Sequence, residues 1–223
     1  MVSFFDGYRH DIDALAEVAH SAGALFCVDA IQGLGAFPFD VKRSNVDAAY
    51  AGGAKWLLSL PGVSVLYVDA ALRDRLAVRW RGWRDVEDIW DFLRYDQPLA
   101  PNASRFEGGT PNFIGVAGLA ASMDVIEEAG TDRIGVHVLA LTDRLAAGLE
   151  RLGATVFSER RDGVSSGIVT FALPGRDPVE LGRRLGREGI VVTYRPSGIR
   201  VSPHGYNTPA EIDALLDALE KSG

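Results

Sequence analysis

Two short apolar runs, each leading to a residue with reactive chemistry, constrain this chain more than any other feature. Leu25 to Val28 is too short for a buried helix and reads as a strand; it ends at Asp29, and Gln32 follows three residues later in a Gly-rich turn. A second run, Asp47 to Ala51, precedes Lys55, which sits between Gly52-Gly53-Ala54 and the bulky Trp56. Between His10 and Ala22, apolar residues at Ile12, Leu15, Ala16, Val18 and Ala19 have helical spacing, with acidic residues near the start and Gly23 as the stop. The apolar Val2-Ser3-Phe4-Phe5 ahead of it places the opening of the chain on or just after a strand. The local order is then strand, helix, strand, the βαβ unit of a parallel sheet. Ligands of such sheets bind in the crevice beyond the strand C-termini, so a carboxylate and an amine at successive strand ends outline a cofactor site.

Beyond Lys55 the pattern predicts a strand at Ser64 to Val68, set off by Pro61-Gly62, and a short amphipathic helix over Ala70 to Val78. Arg79 to Asn112 has no period and gathers Trp80, Trp83, Trp90, Phe92, Tyr95 and Phe106. A loop of that length and aromatic content serves a site or an interface more often than irregular core packing. Two long helices follow, Phe113 to Ala129 and Asp132 to Leu152, separated by the stop-and-cap sequence Gly130-Thr131-Asp132. The remainder predicts strands at 154–157, 167–172, 190–194 and 198–201 and helices at 178–188 and 209–220, a small α+β unit. The expected division is residues 1–129 and residues 130–223.

Composition narrows the function classes. A net charge of −7 opposes binding along a nucleic-acid backbone. No apolar run reaches the roughly 20 residues that span a bilayer, and no leader pattern is visible, so no membrane role and a cytoplasmic setting are expected. The single cysteine, Cys27, lies within an apolar strand and reads as a buried structural thiol; no disulfide framework is possible. The four histidines (His10, His20, His137, His204) are scattered without a ligand partner at binding spacing, so no metal site is expected. Gly33-Leu34-Gly35 is only a fragment of a dinucleotide loop.

Taken in order, VDAIQGLGAFPFDV, AGGAKWLL, PGVSVLYV, FEGGTPN and GIRVSPHGYNTPAEIDAL resemble the class V aminotransferase family of pyridoxal-phosphate enzymes, over essentially the whole chain. That family includes cysteine desulfurases, kynureninases and isopenicillin N epimerase-like proteins. The resemblance implies an α/β, fold-type-I transferase: part of the large cofactor-binding domain with a parallel-type sheet, then a small C-terminal α+β domain. It implies pyridoxal 5'-phosphate as cofactor and chemistry at the Cα of an amino or keto acid by transamination, racemisation or elimination.

Residue by residue, it implies that Lys55 forms the Schiff base, and a desolvated amine among small residues suits that role. Asp29 matches the carboxylate that keeps the pyridine nitrogen protonated, which makes the ring an electron sink. Gln32 matches the side chain bonded to the ring oxygen. Thr110 matches a phosphate contact that reaches the neighbouring subunit's cofactor, implying a homodimer with a shared site; as residues alone, Gly109-Thr110 reads as a helix N-cap. Arg200 matches the arginine that clamps the substrate carboxylate in a bidentate fork. His204, Tyr206 and Asn207 belong to the same motif and are expected to hold the backbone.

Three departures bear on the reaction. Ala54 stands where many relatives have a histidine, Gly52 stands where desulfurases offer a hydroxyl to the phosphate, and Ile190 to Arg200 holds no cysteine nucleophile. Family members also carry a long stretch ahead of the region matching Val2-Ser3, with a phosphate-binding turn and a ring stacked on the cofactor. The expectation is a chain lacking that N-terminal part, with intact chemistry on one wall of an incomplete pocket. The alternative is a remnant without catalysis that serves binding or dimerisation.

Overall fold

The computed structural model describes residues 1–221; residues 222–223, the end of the second expected unit, lie outside the described residues. Asp11 caps the first helix, α1 (Ile12–Ser21), by accepting the Ala14 N–H at 3.0 Å. Strand β1 (Cys27–Asp29) pairs in parallel with β2 (Ala48–Gly52), bringing Asp29 opposite Tyr50. β3 (Ser64–Val68) then runs antiparallel to β2, so the three-stranded sheet is mixed, with order β1-β2-β3. Val2 makes only an isolated bridge to Arg9 and extends no strand.

One carboxylate ties this first layer together. Asp47, at the mouth of β2, accepts from His20 Nε2 at 2.9 Å and from the Phe26 N–H at 2.7 Å. These bonds fasten α1 and the start of β1 to the neighbouring strand. The Phe26 N–H first and His20 second hold the Asp47 carboxyl below its usual range. His20 therefore does have a carboxylate partner, 27 residues away, which spacing along the chain does not reveal.

After α2 (Ala70–Arg75) the chain runs irregularly to a 3-10 turn at Ala103–Phe106, and α3 (Phe113–Ala129) and α4 (Thr131–Arg151) follow, joined at Gly130 with φ +81°. The C-terminal sheet, β4 (Thr155–Val156), β5 (Val169–Ala172), β6 (Thr193–Arg195) and β7 (Gly198–Val201), has order β4-β5-β7-β6 and is antiparallel throughout. α5 (Pro178–Arg187) and α6 (Pro209–Glu220) complete that unit.

Two cores result. The first gathers Val28, Ala49, Ala51, Phe37, Trp56, Ile134 and Val138; the second gathers Leu141, Leu145, Leu149, Phe171, Leu185, Ile199 and Leu219. α4 contributes to both, changing allegiance between Leu139 and Leu141. The N-terminal segment laces them together: the Phe5 carbonyl accepts from Thr170 Oγ1 at 2.6 Å, the Gly7 carbonyl from Ser166 Oγ at 2.5 Å, and the Val164 carbonyl from the Arg9 N–H at 2.8 Å.

Candidate active site

Asp29 ends β1 with its side chain on the exposed face of the sheet. One carboxylate oxygen accepts the Ile31 N–H at 2.9 Å, which turns the chain sharply into the loop that buries Gln32 to 7% exposure. Alternation along the three-residue strand sends Val28 inward, and Cys27 goes outward with Asp29. Cys27 is thus an exposed thiol, not the buried one the apolar run suggests.

The Lys55 turn lies directly against this loop. Gly35 adopts φ +98°, and a side chain there would run into the Trp56 carbonyl oxygen; a Cβ on Gly52 would press on the Ile31 side chain. Gly53 donates its N–H to the Val63 carbonyl at 2.8 Å, and Ser59 donates to Gly53 at 2.9 Å, closing the turn. Lys55 itself is exposed, not the desolvated amine expected, and makes no ion pair among the described residues, whereas Lys42 pairs with Asp69 at 2.7 Å. Small residues at these positions are what let the Asp29 loop and the Lys55 turn approach each other.

His204 locks the other side of the turn. It is 8% exposed, its ring stacks on Trp56 and on Tyr206 with centroids 5.0 Å away in each case, and Nε2 lies 3.3 Å from the Trp56 carbonyl. Nδ1 accepts the Gly205 N–H at 2.7 Å, so Nε2 carries the proton and donates it to Trp56. Asn207 accepts the His204 N–H through Oδ1 at 2.8 Å, and its own carbonyl accepts from His137 Nε2 at 2.8 Å. The motif therefore does fix backbone, and its histidine is buried rather than at the surface.

Arg200 on β7 is half-buried and faces the N-terminal segment: Nη1 donates to the Phe4 carbonyl at 2.6 Å and Nη2 reaches Thr193 Oγ1 at 3.4 Å. Met1 in the same segment donates to the Asp29 carbonyl at 2.8 Å. The four residues from Met1 to Phe4 span at most about 14 Å, which keeps the end of β1 and the Arg200 guanidinium in one neighbourhood.

Thr110 has other neighbours. It lines a separate cleft of roughly 570 Å³ with Val63, Arg84, Glu107 and Asn112, and no hydrogen bond joins it to Asp29, Gln32 or Lys55 among the described residues. Nor is it the helix cap: Asn112 caps α3, accepting the Gly115 N–H at 2.9 Å and donating to the Gly62 carbonyl at 3.3 Å. Gly108 and Gly109 beside Thr110 have open space where a Cβ would stand.

Sequence reasoning missed two participants. Tyr50 stands opposite Asp29 on the same exposed face, and the charge of Asp29 first, with burial and a hydrogen bond to it, raises the phenol above its ordinary value. Phe4 is the second, through its carbonyl on Arg200. Neither has a motif to announce it; only the register of β1 on β2 and the path of the first residues bring them in.

The model of the family described as Aminotransferase class-V matches residues 1–215. The chain is 33% identical over 219 residues to an uncharacterized aminotransferase, YcbU, of Bacillus subtilis (strain 168), covering 98% of this chain and 57% of that protein. It is 30% identical over 228 residues to a probable cysteine desulfurase of Pyrococcus abyssi (strain GE5 / Orsay), covering 96% and 56%. Among solved structures, the apo cysteine desulfurase of Thermococcus onnurineus NA1 superposes with a TM-score of 0.86 at 30% identity, covering 96% of this chain and 56% of that one. The Escherichia coli cysteine desulfurase CsdA gives 0.87 at 25%, covering 99% and 57%. The chain thus spans somewhat more than half the length of the relatives it matches.

Proposed function

Because the chain belongs to the class V aminotransferase family, with the fold-type-I α/β architecture of its relatives, we propose that it holds pyridoxal 5'-phosphate on Lys55 and acts at the Cα of an amino acid. The observation that carries this reading is the packing of the Lys55 turn between the Asp29–Gln32 loop and the His204 ring, which puts the turn with the exposed Lys55 against the loop that carries a carboxylate and an amide. Those donors fit the group: an amine for its aldehyde, a carboxylate for its ring nitrogen, an amide for its ring oxygen, and open glycines with Thr110 for a phosphate. When bound, the cofactor supplies an electron sink for a carbanion at Cα.

The chain's own residues do the rest. Asp29, anchored by the Ile31 N–H and flanked by Tyr50, offers its carboxylate to a protonated ring nitrogen. Lys55 Nζ would move the proton at Cα. Arg200 pairs with the α-carboxylate and so selects amino and keto acids. Thr110, in a cleft lined by none of the other four residues, suits a phosphate held by a second copy, which supports the reading of a homodimer with a shared site. Transamination, racemisation and elimination all use this set. The desulfurase route needs a cysteine beside the substrate, and the only one here, Cys27, is on β1.

The reading is tested by adding pyridoxal phosphate to the purified chain, reducing with borohydride and mapping the modified peptide. The label is expected on Lys55 and at background in Lys55→Ala. An unlabelled chain, or a label on Lys42 or Lys221 alone, would instead favour the remnant reading, in which the chain only binds or dimerises.

A further inference from the structure

Arg200 is not the only cation facing this part of the site. β6 and β7 pair Thr193 with Arg200 and Arg195 with Gly198, so Arg195 and Arg200 are diagonal neighbours on one face of the ladder, a spacing of about 7–8 Å between backbones. Gly198 puts no side chain opposite Arg195. Phe4 positions both groups: its carbonyl accepts from Arg200 Nη1 at 2.6 Å, and its ring lies 5.4 Å from the Arg195 guanidinium carbon.

Neither guanidinium has a carboxylate partner among the described residues, and Arg200 Nε is buried with no hydrogen-bond acceptor. Burial, and then the charge of Arg195, push the Arg200 guanidinium below its ordinary value. A buried donor without an acceptor beside a second positive charge is an unfavourable arrangement that anions relieve.

We propose that Arg195 and Arg200 form a two-guanidinium subsite for a dicarboxylic amino or keto acid, Arg200 taking the α-carboxylate and Arg195 the distal one. This rests on the role given to Arg200 above and adds the substrate class. Each planar fork donates to one carboxylate, and a monocarboxylic acid leaves one of the two cations uncompensated.

Calorimetric titration of the full chain with 2-oxoglutarate and with pyruvate, with and without pyridoxal phosphate, tests the subsite in wild type, Arg195→Gln and Arg195→Lys. The wild type should bind 2-oxoglutarate roughly tenfold or more tighter than pyruvate. Arg195→Gln should lose that preference while its pyruvate affinity is unchanged, and Arg195→Lys should keep part of it. Equal binding of the two acids by the wild type, no binding of 2-oxoglutarate, or an equal loss of both in Arg195→Gln would overturn the proposal. Borohydride labelling of the same samples keeps the two readings apart: a missing Lys55 label sinks the cofactor reading, while the titrations without cofactor still decide the subsite.

Discussion

Protonating His204 removes the Nδ1 acceptor and places a charge in a buried site, although the bond from Nε2 to Trp56 survives. Its Nδ1 accepts from Gly205, its ring is buried between Trp56 and Tyr206, and burial pushes its pKa below the ordinary value near 6.5. A histidine whose folded pKa is lowered binds its proton more readily when unfolded, so its contribution is complete above about pH 6.5 and is lost as pH falls through the folded value. Urea midpoints should therefore fall between pH 7 and pH 5, above the range where the depressed carboxylates such as Asp47 begin to protonate. His204→Gln should flatten that slope; an unchanged slope would remove His204 as its cause. Residue identity was legible in the sequence here, since the motif marks His204, but its depth was not. The same holds for Lys55 and Asp29, whose types and strand-end positions are readable, while Cys27 faces outward because it shares the phase of Asp29 on a strand whose inward position is Val28.

At the scale of elements, junctions decide whether the Lys55 turn is held in place. Gly35 has no tolerance for a side chain, being at φ +98° against the Trp56 carbonyl. Gly35→Ala should cost about 1–3 kcal/mol, read by urea denaturation, and should also weaken labelling at Lys55 because the turn must move. Asn112 is the matching device at α3. Asn112→Ala should cost about 1 kcal/mol through the lost cap, whereas Asn112→Asp keeps an acceptor for the Gly115 N–H, loses only the donation to Gly62, and should cost less. Most helices were legible to within a residue or two, because Asp11, Gly130 and Pro209 are local signals, whereas α2 ends at Arg75 and not at the expected Val78. Strands were less so: the run expected at 190–194 forms at Thr193–Arg195, since its pairing with β7, not its own composition, sets its bounds.

For the whole molecule, α4 is the shared beam. Leu145 is fully buried in the second core while Val138, two turns earlier on the same helix, is fully buried in the first. Leu145→Ala should cost about 2–5 kcal/mol and, if the two cores unfold together, should lower a single transition seen by both tryptophan fluorescence and circular dichroism; separate transitions would show two independent units. No described helix is long and apolar enough to cross a membrane. The family and most of the elements were determined by the sequence alone, because strand-end chemistry, glycine turns and helix caps are local and leave their signature in adjacent residues. What only the tertiary structure decided is which distant groups meet: Tyr50 beside Asp29, His20 on Asp47, His204 on the Lys55 turn, and Phe4 between Arg195 and Arg200. Those pairings depend on strand register and on the path of the N-terminal segment across both cores, which are set by packing over the whole chain and by no single stretch of it.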